Sequence, residues 1–413
     1  MRFTFLIIAF ITIVSGLDNG LGRTPPMGWN TWNHFQCQVN EQLLKDSADA
    51  MIELGFYEAG YKYLNLDDCW EGHRDENGYI TTDPITFPGG IKALADYAHE
   101  KGLLFGIYSD AGRLTCARRL GSLGYEDKDA QRYAEWGIDF LKYDNCHNDG
   151  SPEIQRYVKM RDALNKTGRP IFYSICEWGK SKPFLWGRAV GNSWRTTLDI
   201  RATWASIISI IQKQQMITKY AGPGGWNDPD MLQIGNGQLT LEEQRSHFSL
   251  WAALKAPLLL GFDIRNPPVD AKAIALNEEI IAINQDPLGL SVSIVQRTRF
   301  YDIWTGPLSD GYVAVLFNRG EIPVVITLYF ASHCNLEGEI AVRDLWEHAD
   351  KGNFATSYFS RVPKHGVTVV KLTGGSRINK HNEPLFLQQI WDEDIVDDDP
   401  IEIDISINGD QIY

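Results

Sequence analysis

Between Gly28 and about Arg265 the chain alternates short apolar runs with longer amphipathic ones. The apolar runs are Met27 to Trp32, Tyr61 to Leu66, Leu103 to Tyr108, Asp139 to Tyr143, Pro170 to Ile175, Ser193 to Arg195, Lys219 to Ala221 and Ala256 to Gly261. Between the first two, Glu41 to Leu54 carries apolar side chains at 43, 44, 48, 51, 52 and 54, a helical spacing. Gly90 to Lys101 and Glu126 to Trp136 are similar. Buried strands alternating with helices predict βα units around a parallel sheet. Eight such units over roughly 250 residues fit a closed (β/α)₈ TIM barrel better than an open doubly wound sheet. No Gly-x-Gly-x-x-Gly follows the first run, which counts against a dinucleotide-binding fold.

After Asp286-Pro287-Leu288-Gly289 the period changes. Val292 to Val295, Phe300 to Trp304, Tyr312 to Asn318, Val324 to Phe330, Glu339 to Leu345 and Gly366 to Leu372 are short alternating runs separated by turn residues, the pattern of a small antiparallel β-sandwich. The expected α/β organisation is therefore a leader at 1–16, a barrel at 17–290, a sandwich at 291–374 and an acidic tail at 375–413. In the tail Asp392-Glu393-Asp394 and Asp397-Asp398-Asp399 have no basic partners, as in a solvated, unstructured segment. The leader has Arg2, an apolar run from Phe3 to Val14 and small residues before a cut near Leu17. That is a secretory signal, too short to span a bilayer, and it predicts a soluble mature chain on the secretory pathway, secreted or lysosomal/vacuolar.

The 413 residues carry a net charge of −14, which argues against nucleic acid as a partner. Six cysteines then meet an oxidising compartment, and their pairing is open at this level. No Cys-x-x-Cys pair is present, and His147 beside Cys146 lacks a spaced partner, so no metal site is expected. Asn165-Lys166-Thr167 is a glycosylation acceptor, expected on a surface loop.

The chemistry gathers at the ends of the apolar runs. Asp139-Phe140-Leu141-Lys142-Tyr143-Asp144-Asn145-Cys146 reads as a strand whose alternation puts Lys142 and Asp144 on one face. That juxtaposition fits a cation keeping a nucleophilic carboxylate ionised, or a buried structural ion pair. Asp67, Asp68, Glu177, Asp199 and Asp230 end other runs, Arg195 is the second cation, and Trp29, Trp70, Trp178 and Trp226 supply flat apolar walls. Clustered acids and aromatic faces suit a ligand rich in hydroxyls, and a pair of carboxylates is the minimum for glycoside hydrolysis. Gly-x-Ser-x-Gly, His-Glu-x-x-His and a phosphate loop are absent.

From about Leu21 to about Leu372 the chain resembles the glycoside hydrolase family of eukaryotic α-galactosidases and α-N-acetylgalactosaminidases. The resemblance is carried by Pro26-Met27-Gly28-Trp29-Asn30-Thr31-Trp32, Leu66-Asp67-Asp68-Cys69-Trp70, Lys142-Tyr143-Asp144, Cys176-Glu177-Trp178, Ala221 to Met231 and Ile283 to Gly289. It implies Asp144 as nucleophile and Asp199 as acid/base of a retaining hydrolysis. Asp67 and Asp68 would bind the galactose 4- and 6-hydroxyls, with Trp29 along the ring. Tyr108, Cys116, Lys142, Trp178, Arg195, Asp230 and Met231 match further substrate-binding positions. The resemblance implies the disulfides Cys37–Cys69 and Cys116–Cys146 and no cofactor. The sandwich is expected to serve packing or an oligomer surface, such as a homodimer contact.

Specificity is expected to turn on Glu177, a bulky acid at the sugar's 2-position that favours galactose over an acetamido sugar. Gly179-Lys180-Ser181 departs from the animal pattern toward plant and fungal members, and Gly191-Asn192-Ser193-Trp194 holds no partner for Cys176, which leaves Cys176 and Cys334 as free thiols. The alternatives are an α-N-acetylgalactosaminidase, a β-L-arabinopyranosidase, and an inactive carbohydrate-binding protein on the same barrel.

Overall fold

The computed structural model describes residue 17 and residues 19–378. The leader and nearly all of the acidic tail lie outside the described residues.

Eight short strands form one sheet: β1 (Met27–Asn30), β2 (Tyr63–Asn65), β3 (Leu104–Asp110), β4 (Phe140–Asp144), β5 (Phe172–Ile175), β6 (Ser193–Arg195), β7 (Trp226–Asp228) and β8 (Leu258–Leu260). Their order is β8-β1-β2-β3-β4-β5-β6-β7, and every printed pairing is parallel. The gap between β7 and β8 is closed by a parallel bridge from Leu232 to Leu260. The strands run parallel because each is followed by chain that returns to the same end. Gly28 allows the β1–β2 approach, since a Cβ there would run into the backbone carbonyl of Tyr63.

The returning helices are α1 (Glu41–Glu53), α2 (Gly90–Glu100), α3 (Glu126–Trp136), α4 (Glu153–Lys166), α5 (Trp204–Gln214) and α6 (Leu241–Ala253), followed by α7 (Val269–Ala275) and α8 (Glu278–Asn284). Between β5 and β6 the return is made by two 3₁₀ turns, Pro183–Leu185 and Gly187–Ala189, so the βα alternation is incomplete there. The helix starts are written into the sequence. Asn40, Thr203 and Thr240 accept an amide hydrogen bond three residues on, and Thr240 with Glu243 forms a reciprocal capping box.

The seventh strand is not Lys219 to Ala221. Thr218–Tyr220 is a 3₁₀ turn, Gly222 and Gly225 bridge a tight turn, and the strand follows at Trp226–Asp228. Its polar residues are buried and bonded: Asn227 accepts from Trp194 Nε1 at 2.7 Å and donates to the Ile217 carbonyl at 2.8 Å. A strand that satisfies buried polar groups reads as a loop in a hydrophobicity pattern. Asn165 lies exposed in the last turn of α4 rather than in a loop.

The second layer system has eight strands where six were expected: β9 (Ser293–Arg297), β10 (Tyr301–Leu308), β11 (Gly311–Asn318), β12 (Val324–Tyr329), β13 (Leu336–Asp344), β14 (Ala349–Phe354), β15 (Ser357–Val362) and β16 (Val367–Arg377). A six-stranded sheet in the order β9-β10-β11-β16-β13-β14 faces the pair β12-β15. β14 gave no alternating signal because nothing along it is fully buried. β16 runs past the expected boundary at 374. Alternation divides the large sheet between two cores. Ala314, Leu316, Val370 and Leu372 pack toward the small sheet, whereas Val313, Val315, Phe317, Val367 and Val369 join the barrel's core. At roughly 1.5–3 kcal/mol for each such side chain, this shared core holds sandwich to barrel. Arg343 adds a bidentate pair with Glu279 of α8, at 2.6 and 2.9 Å. No helix among the described residues is long and apolar enough to cross a membrane.

Candidate active site

The C-terminal ends of the barrel strands converge on one cavity. After β1 it is lined by Trp32 and Asn33, after β2 by Asp67 and Asp68, on β3 by Tyr108, and on β4 by Lys142 and Asp144. Trp178 follows β5, Arg195 ends β6 with Asp199 and Ile200 beyond it, Asp230 and Met231 follow β7, and Cys116 enters from the loop after β3. Seven of the eight parallel strands deliver these side chains because each strand exits at the same rim. Three exits are made by non-glycine residues with positive φ: Cys69 (83°), Trp178 (60°) and Asp230 (84°). Such backbone is costly for residues with a Cβ and is held here by the surrounding bonds.

Asp144 sits at the base, 5 % exposed. Its Oδ1 accepts from the Asn145 amide at 3.0 Å and its Oδ2 from the Tyr108 hydroxyl at 3.1 Å. Burial pushes its carboxyl up, to about 6, with the charge of Asp199 adding to the rise and those of Lys142 and Arg195 opposing it. Lys142 shares a face with Asp144, as strand alternation requires, but its ion pair is with Asp67, at 2.9 Å. The expected Lys142–Asp144 pair is thus an electrostatic influence and not a contact. Asp67 Oδ2 also accepts from Asn30 Nδ2 at 2.9 Å, and Oδ1 from the Asp68 amide at 3.0 Å. Asp68 accepts from the amides of Cys69 and Ala117 at 2.7 and 2.9 Å, while burial raises its carboxyl. Glu71, unexpected from the sequence, lies buried behind this pair; burial and then the charge of Asp68 push it well up.

Arg195 is buried and spans the other wall. It pairs with Asp199 at 2.8 Å and Asp230 at 2.9 Å, and points a second nitrogen at Cys176 Sγ, 3.6 Å away. Asp230 is fixed further by the amides of Ile200 and Met231, at 2.9 and 2.8 Å. Asp199 lies at the mouth, its side chain 71 % exposed. What burial it has works upward, but the charge and hydrogen bond of Arg195 together bring it below the ordinary aspartate value.

Two residues expected at the substrate do not line the cavity. Trp29 is wholly buried and donates Nε1 to the Phe262 carbonyl at 2.7 Å, which turns its ring into the barrel packing. Glu177 is also wholly buried, and its Oε2 accepts from the Ser181 amide and hydroxyl at 2.7 and 2.8 Å. The neighbour Trp178 faces the cavity instead, with the Lys180 ammonium 4.5 Å from its ring. Trp32, Asn33 and Ile200 were not singled out as site residues. Trp32 stood inside a quoted motif and Ile200 adjoins Asp199, while nothing in the sequence marked Asn33.

Cys37 is bonded to Cys69 and Cys116 to Cys146. Cys176 and Cys334 are free and buried. Both disulfides tie loops at the cavity rim, the second one directly beside Asp144.

Residues 24–286 match the family model for alpha galactosidase A, and residues 298–372 match that for the alpha galactosidase C-terminal beta sandwich domain. Alpha-galactosidase 3 of Arabidopsis thaliana is 52 % identical over 365 residues, covering 86 % of this chain and 83 % of its own length. Among solved structures, alpha-galactosidase I from Mortierella vinacea superimposes with a TM-score of 0.85 at 40 % identity, over 87 % of this chain and 99 % of that one. The alpha-galactosidase of Saccharomyces cerevisiae gives 0.83 at 35 % identity, with the same coverages.

Proposed function

The chain belongs to the alpha-galactosidase A family, and from that membership we infer that it is a glycoside hydrolase releasing terminal α-D-galactosyl residues, with Asp144 and Asp199 as its working pair. The observation that carries the reading is a buried carboxylate, Asp144, at the base of a cavity also lined by Asp67 and Asp68, whose rim holds an accessible carboxylate, Asp199. Asp144 attacks the anomeric carbon as Asp199 protonates the leaving oxygen, which gives a galactosyl ester and frees the aglycone. Asp199 then takes a proton from water as the water attacks the ester, and two inversions return the α-anomer. Asp67 and Asp68, fixed by Lys142, Asn30 and backbone amides, serve as acceptors for the galactose 4- and 6-hydroxyls. A sugar with the opposite configuration at C4 forfeits a hydrogen bond to a charged acceptor, worth about 1.5–3 kcal/mol.

Glu177 does not line the cavity: its Oε2 is held by Ser181, while its buried Oε1 has no protein partner. Support for galactose comes from the relatives. A secretory leader and two disulfides favour an oxidising compartment, secreted or vacuolar.

The test is a set of initial rates on matched p-nitrophenyl α-galactoside, α-N-acetylgalactosaminide and β-L-arabinopyranoside, with the first-formed anomer followed by NMR. We expect the α-galactoside to dominate and α-galactose to appear first. A dominant rate on either other substrate overturns the substrate class; β-galactose appearing first overturns the double displacement.

A further inference from the structure

Asp110 is a buried carboxyl beside Asp144 that the hydrolysis written above does not use. It ends β3, and its register partner on β4 is Asp144 itself. Carboxylate oxygens of the two residues and the sulfurs of Cys116 and Cys146 all lie within 4.8 Å of one another. Both sulfurs are spent in a disulfide, so the cluster is two carboxyls against a neutral bridge. Asp110 has no exposed surface at all.

Its own bonds are a clamp. Oδ1 accepts from the Gly112 amide at 2.7 Å and Oδ2 from the Cys146 amide at 3.0 Å. Those amides belong to the two loops that leave β3 and β4, on either side of Asp144. Gly112 makes the approach possible, since a Cβ there would run into the Cys146 carbonyl.

Two carboxyls this close and out of water do not readily both ionise, and their neighbours decide which one keeps the charge. Asp144 is faced by Lys142 from its own strand, Arg195 from β6, the Tyr108 hydroxyl from β3 and its own following amide, with Asp199 opposing. Asp110 is faced by Asp144 and by Asp68 from beyond β2, both negative, by the phenols of Tyr108, Tyr143 and Tyr157, and by its two amides. Lys142 and Arg195 are committed to Asp67, Asp199 and Asp230.

We propose that Asp110 is a positioning residue for Asp144, clamping the two strand exits around it and holding the proton of the pair so that the negative charge stays on Asp144. The proposal rests on reading Asp144 as the nucleophile. Burial first, and the Asp144 charge next, push the Asp110 carboxyl up to about 9 against the pull of its two amides. The proton stays on Asp110 when Asp144 becomes an ester, because burial outweighs the lost repulsion.

The test is a pH titration by infrared difference spectroscopy on the free enzyme, comparing wild type, Asp110→Asn and Asp144→Asn. Wild type is expected to keep a protonated buried carboxyl at neutral pH that ionises near pH 9 and is missing from Asp110→Asn; Glu71 remains in both spectra. In Asp144→Asn the same carboxyl should ionise at least about one pH unit lower, because the repelling charge has gone. No carboxyl lost in Asp110→Asn, or a titration unmoved in Asp144→Asn, overturns the proposal. If Asp110→Asn fails to fold, the Asp144→Asn shift decides alone. The measurement needs no substrate, so it is separate from the rate assays, where hydrolysis retained by Asp144→Asn would instead overturn the nucleophile assignment.

Discussion

Lys142→Met removes the cation on the nucleophile's own strand while keeping an apolar stem of similar length. The Lys142 ammonium stands 2.9 Å from Asp67 Oδ2, with side-chain exposures of 15 % and 2 %. At that separation and an effective dielectric of about 20, the gross attraction is about 6 kcal/mol. Removing one partner of a buried pair typically leaves a net cost of about 3–5 kcal/mol. Lys142 is also the foremost of the influences opposing the rise of Asp144. One pKa unit corresponds to about 1.4 kcal/mol, so an attraction at Asp144 worth a quarter of the gross pair energy shifts it by about one unit. The assay is kcat/KM against pH, whose limbs report ionisation in the free enzyme. The working form has Asp144 ionised and Asp199 protonated, and because Asp199 sits below Asp144 the pair loses its one remaining proton as pH rises through about 6, so wild-type activity should fall on that alkaline limb. In Lys142→Met that limb should move to higher pH by about one unit or more, and KM should rise as Asp67 loses its holder. Lys142→Arg, which keeps the charge, should leave the limb in place. A slower Lys142→Met enzyme with an unmoved alkaline limb would refute the reasoning and reduce Lys142 to a partner for Asp67.

Asp144→Asn should be more resistant to urea than wild type at pH 7, by about 3 kcal/mol, with the gap closing toward pH 4. The folded pKa of Asp144, about 6, lies above its ordinary 3.8, so between them the fold binds more protons than the unfolded chain and wild-type stability falls as pH rises; a variant less stable at pH 7 would contradict the sign. For the wild-type enzyme, the alkaline limb of kcat, which reports the substrate complex, should lie above that of kcat/KM as bound sugar raises Asp199. Coincident limbs would show that bound sugar leaves the pair as it was.

The barrel was legible because its strands are apolar on both faces and its helices carry a 3.6-residue stripe. Where a strand buries bonded polar groups, as Trp226–Asp228 does, the pattern failed. It failed again at Ala349–Phe354, an edge strand with nothing fully buried. Acids at strand ends could be gathered from sequence since every parallel strand exits on one rim. Which way a side chain turns at that exit could not. Glu177 and Trp178 are adjacent, and the positive φ of Trp178 together with the Ser181 bonds sends the indole into the cavity and the carboxylate away from it. Lys142 was placed on the right face and its charge does act on Asp144, but alternation could not show that its nearest carboxylate, across the barrel, is Asp67. Asp110 looked like any other polar strand end. Only the β3–β4 register sets it against Asp144.

With Asp144 proposed as nucleophile and Asp199 as general acid, the free protein holds the two in the wrong order for the first chemical step. A nucleophile must be ionised and a general acid protonated, yet burial raises Asp144 while Arg195 lowers Asp199. When the pair carries one proton, that proton sits mainly on Asp144. The geometry shows what can reverse this. Asp199 owes its depression to an arginine that also serves Asp230, and it stands largely in water. A sugar seated against Arg195 draws on the same donors and excludes water from Asp199, and both effects raise Asp199. Positive charge developing at the anomeric carbon next to Asp144 favours its carboxylate, and that lowers Asp144. Substrate binding therefore moves both groups toward their tasks, and part of the binding energy of the correct sugar goes into that reordering rather than into affinity. A sugar that fails to engage Arg195 leaves the proton on the nucleophile. On the proposed assignment the protonation of the pair is a second selection step after the shape of the cavity, and the separation between the alkaline limbs of kcat and kcat/KM measures how much of it the substrate performs.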